Sequence, residues 1–309
     1  MKKNVLLVVV IVLISTKTAS ACDVCGSGAG GGYMGLLPGF TKMFVSVRYS
    51  NNGLVSHIGP GGTSTYLTSN ERFHVTELWG AVGIGKRFRI TSFIPINSMV
   101  RSNGTGISKQ TGIGDASFIG YYQLLNKERT TKNEKQFQQS IWTGLGAKLP
   151  TGVYNPSEKN ISDGAQNSFQ LGTGSIDATA SVVYDVRVHK TGINTTVSYR
   201  LTSANTYGYK YGNKFTANVL AYHQIALSKG GAFVPNAGLL FEMSKKDQKV
   251  KGLEVWETGG YSAMSTIGLE YSYKRIGFGM NYQTAIAQNL GEGKLKAKDR
   301  AMAYVSFSF

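Results

Sequence analysis

Acidic residues are scarce in this chain, and charge of either sign is low. Asp and Glu number 17 among 309 residues, against 33 Lys and Arg, and charged residues make up 16% of the sequence. An average soluble domain carries roughly 25% charged residues. The resulting formal charge of +16 is typical of proteins that meet nucleic acid, anionic lipid or an anionic solute.

Long apolar runs are also rare, and the one clear run lies at the N-terminus. Residues 5–14 are uniformly apolar, which is too short a stretch to cross a bilayer as a helix. Lys2 and Lys3 precede the run, and Ala19 and Ala21 follow it in an A-x-A pattern. Residues 1–21 are therefore predicted to be a cleaved signal peptide. If the exported chain resides in a membrane, it has to cross with strands.

Export narrows the partners that the positive charge suggests. Nucleic acid is excluded as an expected partner because the mature chain leaves the cytoplasm. The phosphates of outer-membrane lipid and lipopolysaccharide are one alternative, and an anion-attracting lumen is the other. The sequence leaves both open.

Cysteine is limited to Cys22 and Cys25, which follow the cleavage site directly. An oxidised C-x-x-C loop suits the periplasm, lipidation of Cys22 is a second alternative, and a metal or redox site is a third. No His follows Cys25, so the c-type haem attachment motif is absent. We predict no cofactor and no metal. The Gly-rich leader at residues 22–39 is interpreted as a plug in a barrel mouth or as a flexible tether.

After the leader, the sequence alternates between apolar and polar residues with a period of two, which predicts strands with two different faces. Residues 193–201 give the clearest example, with Ile193, Val197 and Leu201 on one face and Asn194 and Arg200 on the other. About twelve such segments follow one another, at 40–49, 72–86, 88–97, 112–125, 138–150, 174–187, 190–203, 213–226, 231–244, 261–273, 275–288 and 299–309.

The connections between these segments alternate in length. Short turns occur near residues 86–87, 187–189, 227–230 and 274, whereas long Gly-, Asn-, Ser- and Lys-rich loops occupy 50–71, 151–173 and 245–260. A charged turn of medium length at 126–137 breaks the pattern. Alternating short turns and long loops is typical of a transmembrane barrel whose two ends differ. The fold class predicted for residues 40–309 is all-β, an antiparallel up-and-down transmembrane β-barrel of about twelve strands preceded by the Gly-rich leader.

The C-terminus alternates in the same way and ends on an aromatic residue. Phe307 and Phe309 share one face of the last segment. This pattern predicts an assembly signal, and the barrel-assembly machinery is therefore an expected partner.

Charged residues inside the predicted strands point to the lumen. A Lys or Arg on the lipid face would cost about 2–4 kcal/mol at the bilayer midplane. The face of Glu77 is the least clear, because Val75 and Trp79 share it. Either opposite charges pair across the lumen and close it, or they line a wet path or a binding site. The lumen-facing candidates are Lys42, Arg48, Glu77, Arg89, Asp115, Lys148, Arg200, Glu242 and Glu270.

Enzyme chemistry has little support in the sequence. Barrel phospholipases place a His and a nucleophilic Ser two residues apart on one strand face. None of the four His residues, His57, His74, His189 and His223, has a Ser two positions later. A hydroxyl without its base is a weak nucleophile. We predict no enzymatic activity and no catalytic residues.

Three short motifs resemble a known family. They are GIGD at 112–115, GLGAKLPTG at 144–152 and QLGTG at 170–174. In this order they resemble the outer-membrane transporter family linked to the phenol-degradation meta-pathway, which is itself similar to fatty-acid and aromatic-hydrocarbon channels. The resemblance covers approximately residues 75–309 and does not include the C-x-x-C leader. It implies a barrel that takes up small, often hydrophobic solutes.

The sequence thus predicts an outer-membrane channel or transporter for small solutes. The alternative is a non-conducting barrel with a structural, adhesive or envelope-assembly role, in which opposite charges fill a narrow lumen.

Overall fold

The computed structural model describes residues 43–104, 106–130, 136–158, 167–227, 230–249 and 252–309. The predicted signal peptide, the leader with Cys22 and Cys25, and Lys42 lie outside the described residues. The strands are β1 (Phe44–Ser56), β2 (Ser69–Ile84), β3 (Phe88–Asn103), β4 (Gly106–Ile113), β5 (Ser117–Thr130), β6 (Gln136–Lys148), β7 (Asp177–Val188), β8 (Thr191–Leu201), β9 (Lys214–His223), β10 (Ile225–Ala226), β11 (Gly231–Ser244), β12 (Gly260–Tyr273), β13 (Ile276–Leu290), β14 (Lys296–Ala297) and β15 (Arg300–Ser308).

Twelve of these strands close into one antiparallel barrel, which confirms the predicted fold class. The order around the barrel is β1-β2-β3-β5-β6-β7-β8-β9-β11-β12-β13-β15, and pairing of β15 with β1 closes it. Short 3₁₀ helices lie in the connections at Pro60–Gly62, Pro156–Glu158 and Gly291–Gly293. None of the helices in the described residues is long or apolar enough to cross a bilayer.

Three short strands lie off the closed ring. Strand β4 folds back on the outer end of β3, β10 extends the hairpin to β11, and β14 pairs with β1. Each arises where a connection follows the edge of a neighbouring strand, a pairing that local alternation does not predict.

The period of two separates an outer and an inner face on each strand. On β1, Val45, Val47 and Tyr49 are exposed, whereas Ser46 and Arg48 between them are buried. Directly opposite residues share a face, so Arg48 on β1 meets Glu77 on β2. The exposed apolar band suits lipid, and the buried polar face suits the interior of a membrane barrel.

Several predicted boundaries are wrong. The strand predicted at 88–97 continues to Asn103, and the one predicted at 112–125 is divided between β4, which ends at Ile113, and β5, which begins at Ser117. The sequence at Asn51, Asn52 and Gly53 was expected to open a loop at residue 50, but β1 continues to Ser56, because β2 pairs with it along its full length. The medium-length turn expected at 126–137 is shorter, since β5 runs to Thr130 and β6 begins at Gln136. In these last two places cross-strand pairing overrides the local turn signal.

Candidate functional site

A group of aromatic rings lies inside the barrel near the end that has short turns. This aromatic group consists of Phe44, Trp79, Phe93 and Tyr304. The Trp79 ring meets Phe44 edge-on with centroids 4.7 Å apart, stacks on Phe93 at 6.1 Å and meets Tyr304 edge-on at 6.0 Å. The rings come from strands β1, β2, β3 and β15, which are neighbours around the barrel.

Two predicted charged candidates are joined within this group. Arg48 forms a buried ion pair with Glu77, and its guanidinium carbon lies 5.2 Å from the centroid of Trp79. Trp79 and Glu77 are two residues apart on β2 and share its inner face. The Trp79 ring covers the Arg48–Glu77 ion pair on the side of the short turns. The guanidinium carbon of Arg89, another candidate, lies 5.5 Å from the Phe44 centroid. Buried cations gain from contact with aromatic faces as well as from carboxylates.

A second charge cluster lies where β5, β6 and β7 reach the end with long loops. The anchor cluster consists of Asp115, Lys148, Thr173 and Asp177, all buried. Lys148 Nζ lies 2.8 Å from Asp115 Oδ2 and 2.9 Å from Asp177 Oδ2, and it also contacts Thr173 Oγ1. Thr173 donates to Asp115 Oδ2 from its backbone nitrogen at 2.8 Å. Asp115 and Lys148 were predicted from the sequence, whereas Asp177 and Thr173 were not.

The three sequence motifs converge at this cluster. Gly152 N donates to Asp115 Oδ1 at 3.1 Å, and Thr151 Oγ1 donates to Gly114 O at 2.7 Å. Gly172 and Gly152 allow this approach, because a Cβ on Gly172 would lie 2.5 Å from Asp115 Oδ1. The motifs thus fasten the connection between β6 and β7 to the wall of the barrel.

That connection enters the lumen. We call it the inserted loop; it spans residues 149–176, of which 149–158 and 167–176 are described. Its residues Ser168, Phe169 and Gln170 are at most 1% exposed. Phe169 belongs to one apolar cluster with inward-facing residues of β1, β2, β3, β11, β12 and β13, namely Leu54, Phe73, Met99, Leu240, Met264 and Leu290. Together with β15, which lies between β13 and β1, these strands form an arc of seven of the twelve strands, so Phe169 lies inside the barrel.

A polar clamp fixes the position of Phe169. Ser168 Oγ donates to Glu71 Oε2 at 2.6 Å, and Arg101 Nε donates to the other oxygen of Glu71 at 2.8 Å. The guanidinium carbon of Arg101 lies 4.3 Å from the Phe169 centroid. Asn97 Nδ2 adds a hydrogen bond to Leu171 O at 2.9 Å. Glu71 and Arg101 were not predicted, because both fall in segments assigned to loops. The one signal for them in the sequence is that they share the period-two faces of Glu77 and Arg89.

Two other outer loops pack on the inserted loop through its residue Tyr154. Tyr154, Tyr209, Tyr211 and Val255 form one buried cluster. Asp247 accepts hydrogen bonds from Tyr209 OH at 2.5 Å and from Gly212 N at 2.8 Å. Burial among these loops raises the pKa of the Tyr154 hydroxyl above its ordinary value. The outer end of the barrel is therefore covered by ordered loops in the described part of the chain.

The other predicted candidates are distributed around the wall. Glu242 pairs with Lys214 at 3.0 Å and with Arg300 at 2.6 Å. Glu270 is buried on β12, and Arg200 is half-buried near the outer end of β8. Of the described candidates, only Arg200 is not fully buried, because it lies next to the end of its strand.

A polar wall occupies the inner face of β9, β11, β12 and β13. Each of its five side chains is at most 7% exposed and carries at least one nitrogen or oxygen without a hydrogen-bond partner among the described residues. Leaving such an atom unsatisfied costs about 1–3 kcal/mol. Along β11 and β12, Asn236 and Thr266 lie below Leu240 and Met264 of the apolar cluster, whereas Asn218 on β9 is directly opposite Leu240. Its members are Asn218, Asn236, Thr266, Asn281 and Gln283.

Two tyrosine rings on the inner face, one of them Tyr304 of the aromatic group, lie against glycines. Tyr222 is directly opposite Gly192, and Tyr304 is directly opposite Gly279. At either glycine, a Cβ would overlap the tyrosine ring. The rings therefore occupy the space of a missing side chain at the wall instead of projecting to the centre.

The outer face carries the residues of the predicted assembly signal. Phe307 and Phe309 are 45% and 58% exposed, and Phe309 N donates to Met43 O at 3.1 Å where the chain closes on β1. No group of three or more His, Cys, Asp or Glu residues in the described ranges is placed to hold a metal ion.

Comparison with known proteins adds a structural relative. An outer membrane channel from Pseudomonas putida F1 superposes with a TM-score of 0.60 over 89% of this chain and 100% of that chain, at 11% sequence identity. This likeness shows an outer-membrane barrel fold. The beta domain of the Bordetella autotransporter Brka gives a TM-score of 0.45 at 10% identity, covering 87% of this chain and 100% of that chain. The translocator domain of the autotransporter NalP from Neisseria meningitidis gives a TM-score of 0.41 at 10% identity, covering 89% of this chain and 91% of that chain.

No protein-family model matches this chain, and no curated protein matches it in sequence. The resemblance to the phenol-degradation transporter family therefore stays a prediction.

Proposed function

We propose that this protein is an outer-membrane channel for the uptake of small solutes, with a lumen narrowed by the inserted loop. The observation that carries the proposal is the polar wall. A barrel that served only as a structural element would gain stability by packing that face with apolar side chains, as its outer mouth does around Phe169. A row of amide and hydroxyl side chains on the inner face instead suits a lumen that meets polar solutes.

The two sides of the lumen favour solutes with both polar and apolar parts. The aromatic group lies on β15, β1, β2 and β3, and the polar wall lies on β9, β11, β12 and β13. The two groups meet where β13 pairs with β15, and they separate around the ring until Trp79 on β2 is six strands from Asn218 on β9. Hydrogen-bonding groups of a solute would meet the amides, and its apolar part would meet the rings. This arrangement is compatible with the small, often hydrophobic solutes that the family resemblance implies. The amino-terminal signal and the fold together support location in the outer membrane.

A non-conducting structural role has its own support and is the second candidate. Met302 on β15 packs against a cluster formed by Leu220 and Tyr222 on β9 and Val234 on β11, so side chains from non-adjacent strands meet inside the barrel. The apolar cluster around Phe169 also joins side chains from different strands, at the outer mouth of the barrel. In this alternative the charges and rings fill the lumen and hold the barrel rigid.

Liposome swelling distinguishes the two roles. The purified full chain is reconstituted, and swelling is followed with arabinose, glucose and sucrose, which sample increasing size. A channel gives swelling that falls with solute size, and Phe169→Ala extends it to larger sugars. If neither the native chain nor Phe169→Ala admits arabinose, while both run as folded barrels on a gel without heating, the channel proposal is wrong and the structural role is favoured.

A further inference from the structure

The outer wall of the barrel contains a notch between β13 and β1. Strand β15 pairs with β13 only from Ile276 to Gln283, whereas β13 continues to Leu290. Above that point β14 replaces β15, but it pairs with β1 only at Leu54 and Val55. The resulting gap in the wall is a cavity of about 530 Å³. We call it the outer groove.

The groove is a built feature held by specific contacts. Gln288 accepts from Ala297 N at 2.7 Å and donates to Ala297 O at 3.2 Å, which ties β14 to β13. Lys298 N donates to Gly53 O at 2.9 Å. A Cβ on Gly53 would lie 3.1 Å from the Lys298 side chain, so the lysine stem runs across this glycine. Lys298 Nζ donates to Asn70 Oδ1 at 2.9 Å.

Positive charge dominates the groove. Three cations line it, Arg72, Lys296 and Lys298, and none of them makes an ion pair with an acid among the described residues. The one acid is Asp299, whose oxygens accept hydrogen bonds from Tyr282 OH at 2.5 Å and Thr284 Oγ1 at 2.7 Å. These hydrogen bonds lower the pKa of Asp299 and direct its charge toward β13. The cations are left to face an anion from outside the chain.

The groove lies just beyond the apolar band of the barrel, at the end with long loops. On the outer face of β1, the exposed residues Val45 and Val47 are followed by Tyr49 and then by Asn51, which is half-buried at the groove. Tyrosines mark the level of the lipid head groups in membrane barrels, and long loops lie on the extracellular side. The groove therefore opens toward the head groups of the outer leaflet.

We propose that the outer groove binds the phosphorylated head group of one lipopolysaccharide molecule. Phosphate oxygens carry full negative charge and accept charge-assisted hydrogen bonds from Arg and Lys. Three cations around one cavity can neutralise the phosphates of one head group, while its acyl chains continue along the exposed apolar residues of β1 and β13. The proposal concerns the outside of the wall and is independent of solute passage.

Native mass spectrometry of the full chain in detergent tests this site. The probes are purified lipopolysaccharide and the same lipid after enzymatic removal of its phosphates. The native protein should retain one lipopolysaccharide molecule and bind the dephosphorylated lipid at least tenfold more weakly. The triple variant Arg72→Gln, Lys296→Gln and Lys298→Gln should bind intact lipopolysaccharide at least tenfold more weakly than the native protein does. If the native protein binds the two lipids equally, the proposal is wrong, whatever the variants show.

A matched variant controls for charge alone. Lys86→Gln, Lys127→Gln and Lys274→Gln remove three exposed cations at the opposite end of the barrel and should leave lipopolysaccharide binding unchanged. If the groove variant folds and binds the lipid as the native chain does, but alters liposome swelling, the groove is a lateral passage for solute and the lipid site is wrong. If the control variant weakens binding as much as the groove variant, overall charge explains the binding and the site is also wrong.

Discussion

The guanidinium carbon of Arg101 lies 4.3 Å from the ring centroid of Phe169, which joins the wall of the barrel to the loop that occupies its lumen. Arg101 also donates to Glu71, and Glu71 accepts from Ser168 beside the ring. A cation, a carboxylate and a hydroxyl thus set the position of one apolar side chain. Because Phe169 belongs to the apolar cluster, this contact fixes the cluster to the wall of the barrel.

Removal of the Phe169 ring should widen the lumen. Phe169→Ala leaves an empty space in the apolar cluster. We therefore expect a several-fold larger single-channel conductance in planar bilayers. The barrel should still assemble, because its stability comes from the closed ladder of strands. Phe278→Ala, which removes an exposed ring from the lipid face, is the control and should leave the conductance unchanged. An unaltered conductance in Phe169→Ala would show that the ring does not limit passage.

Loss of Lys148 should release the inserted loop. Lys148→Met leaves Asp115 and Asp177 buried without their cation, which costs about 3–5 kcal/mol. We expect protease cleavage within residues 149–176 and a lower unfolding temperature. Adding Asp115→Asn and Asp177→Asn to Lys148→Met should restore part of the resistance, because neutral side chains are cheaper to bury. Lys127→Met, at an exposed position on β5, should behave as the native chain does; cleavage at the same rate in both single variants would contradict the anchoring role.

The polar wall should govern the passage of hydrogen-bonding solutes. Asn236→Leu with Asn281→Leu replaces amides whose oxygens have no partner in the described chain. The variant should fold at least as well, since unsatisfied buried groups are removed. Liposome swelling with arabinose should slow markedly. Asn289→Leu on the exposed face of β13 is the control, and equal slowing by both variants would assign the effect to protein yield rather than to the lumen.

Strand parity makes a topological prediction. Epitope tags inserted at Gly61 and Lys249, in long loops, should be reached by antibody on intact cells. Tags at Lys86 and Lys274, in short turns, should be reached only after the outer membrane is permeabilised. The reverse pattern of accessibility would invert the barrel and also place the outer groove in the inner leaflet.

The last residue should matter for assembly more than its contacts suggest. Phe309 is exposed and donates one backbone hydrogen bond to Met43. Deletion of Phe309 should nevertheless leave unassembled protein in the periplasm, because the terminal strand closes the barrel and lipid tolerates no open strand edge. Phe278→Ala, with a lipid-facing ring of similar exposure, should assemble normally. Normal heat-modifiable migration after the deletion would refute an assembly signal at this position.

The sequence by itself determined that the chain is a barrel of about twelve strands. Alternation with a period of two and the contrast between short turns and long loops are local properties, and a closed barrel is the arrangement of strands that satisfies backbone hydrogen bonds in lipid. A charged side chain on the lipid face costs free energy, so the charged residues of the strands were predicted to face the lumen. The structure buries seven of them, namely Arg48, Glu77, Arg89, Asp115, Lys148, Glu242 and Glu270. Boundaries failed where pairing with a neighbour continued a strand through a turn signal, as at Asn52 and Gly53.

Only the tertiary structure decided what fills the lumen. Ser168 and Glu71 are 97 positions apart in the chain, and Thr173 and Asp115 are 58 apart, so neither contact has a local signal. Phe169 occurs in a stretch that reads as an ordinary polar loop, and its burial depends on seven neighbouring strands closing around it. A short-range pattern specifies which face a residue takes, whereas closure of the barrel specifies which distant residue it meets.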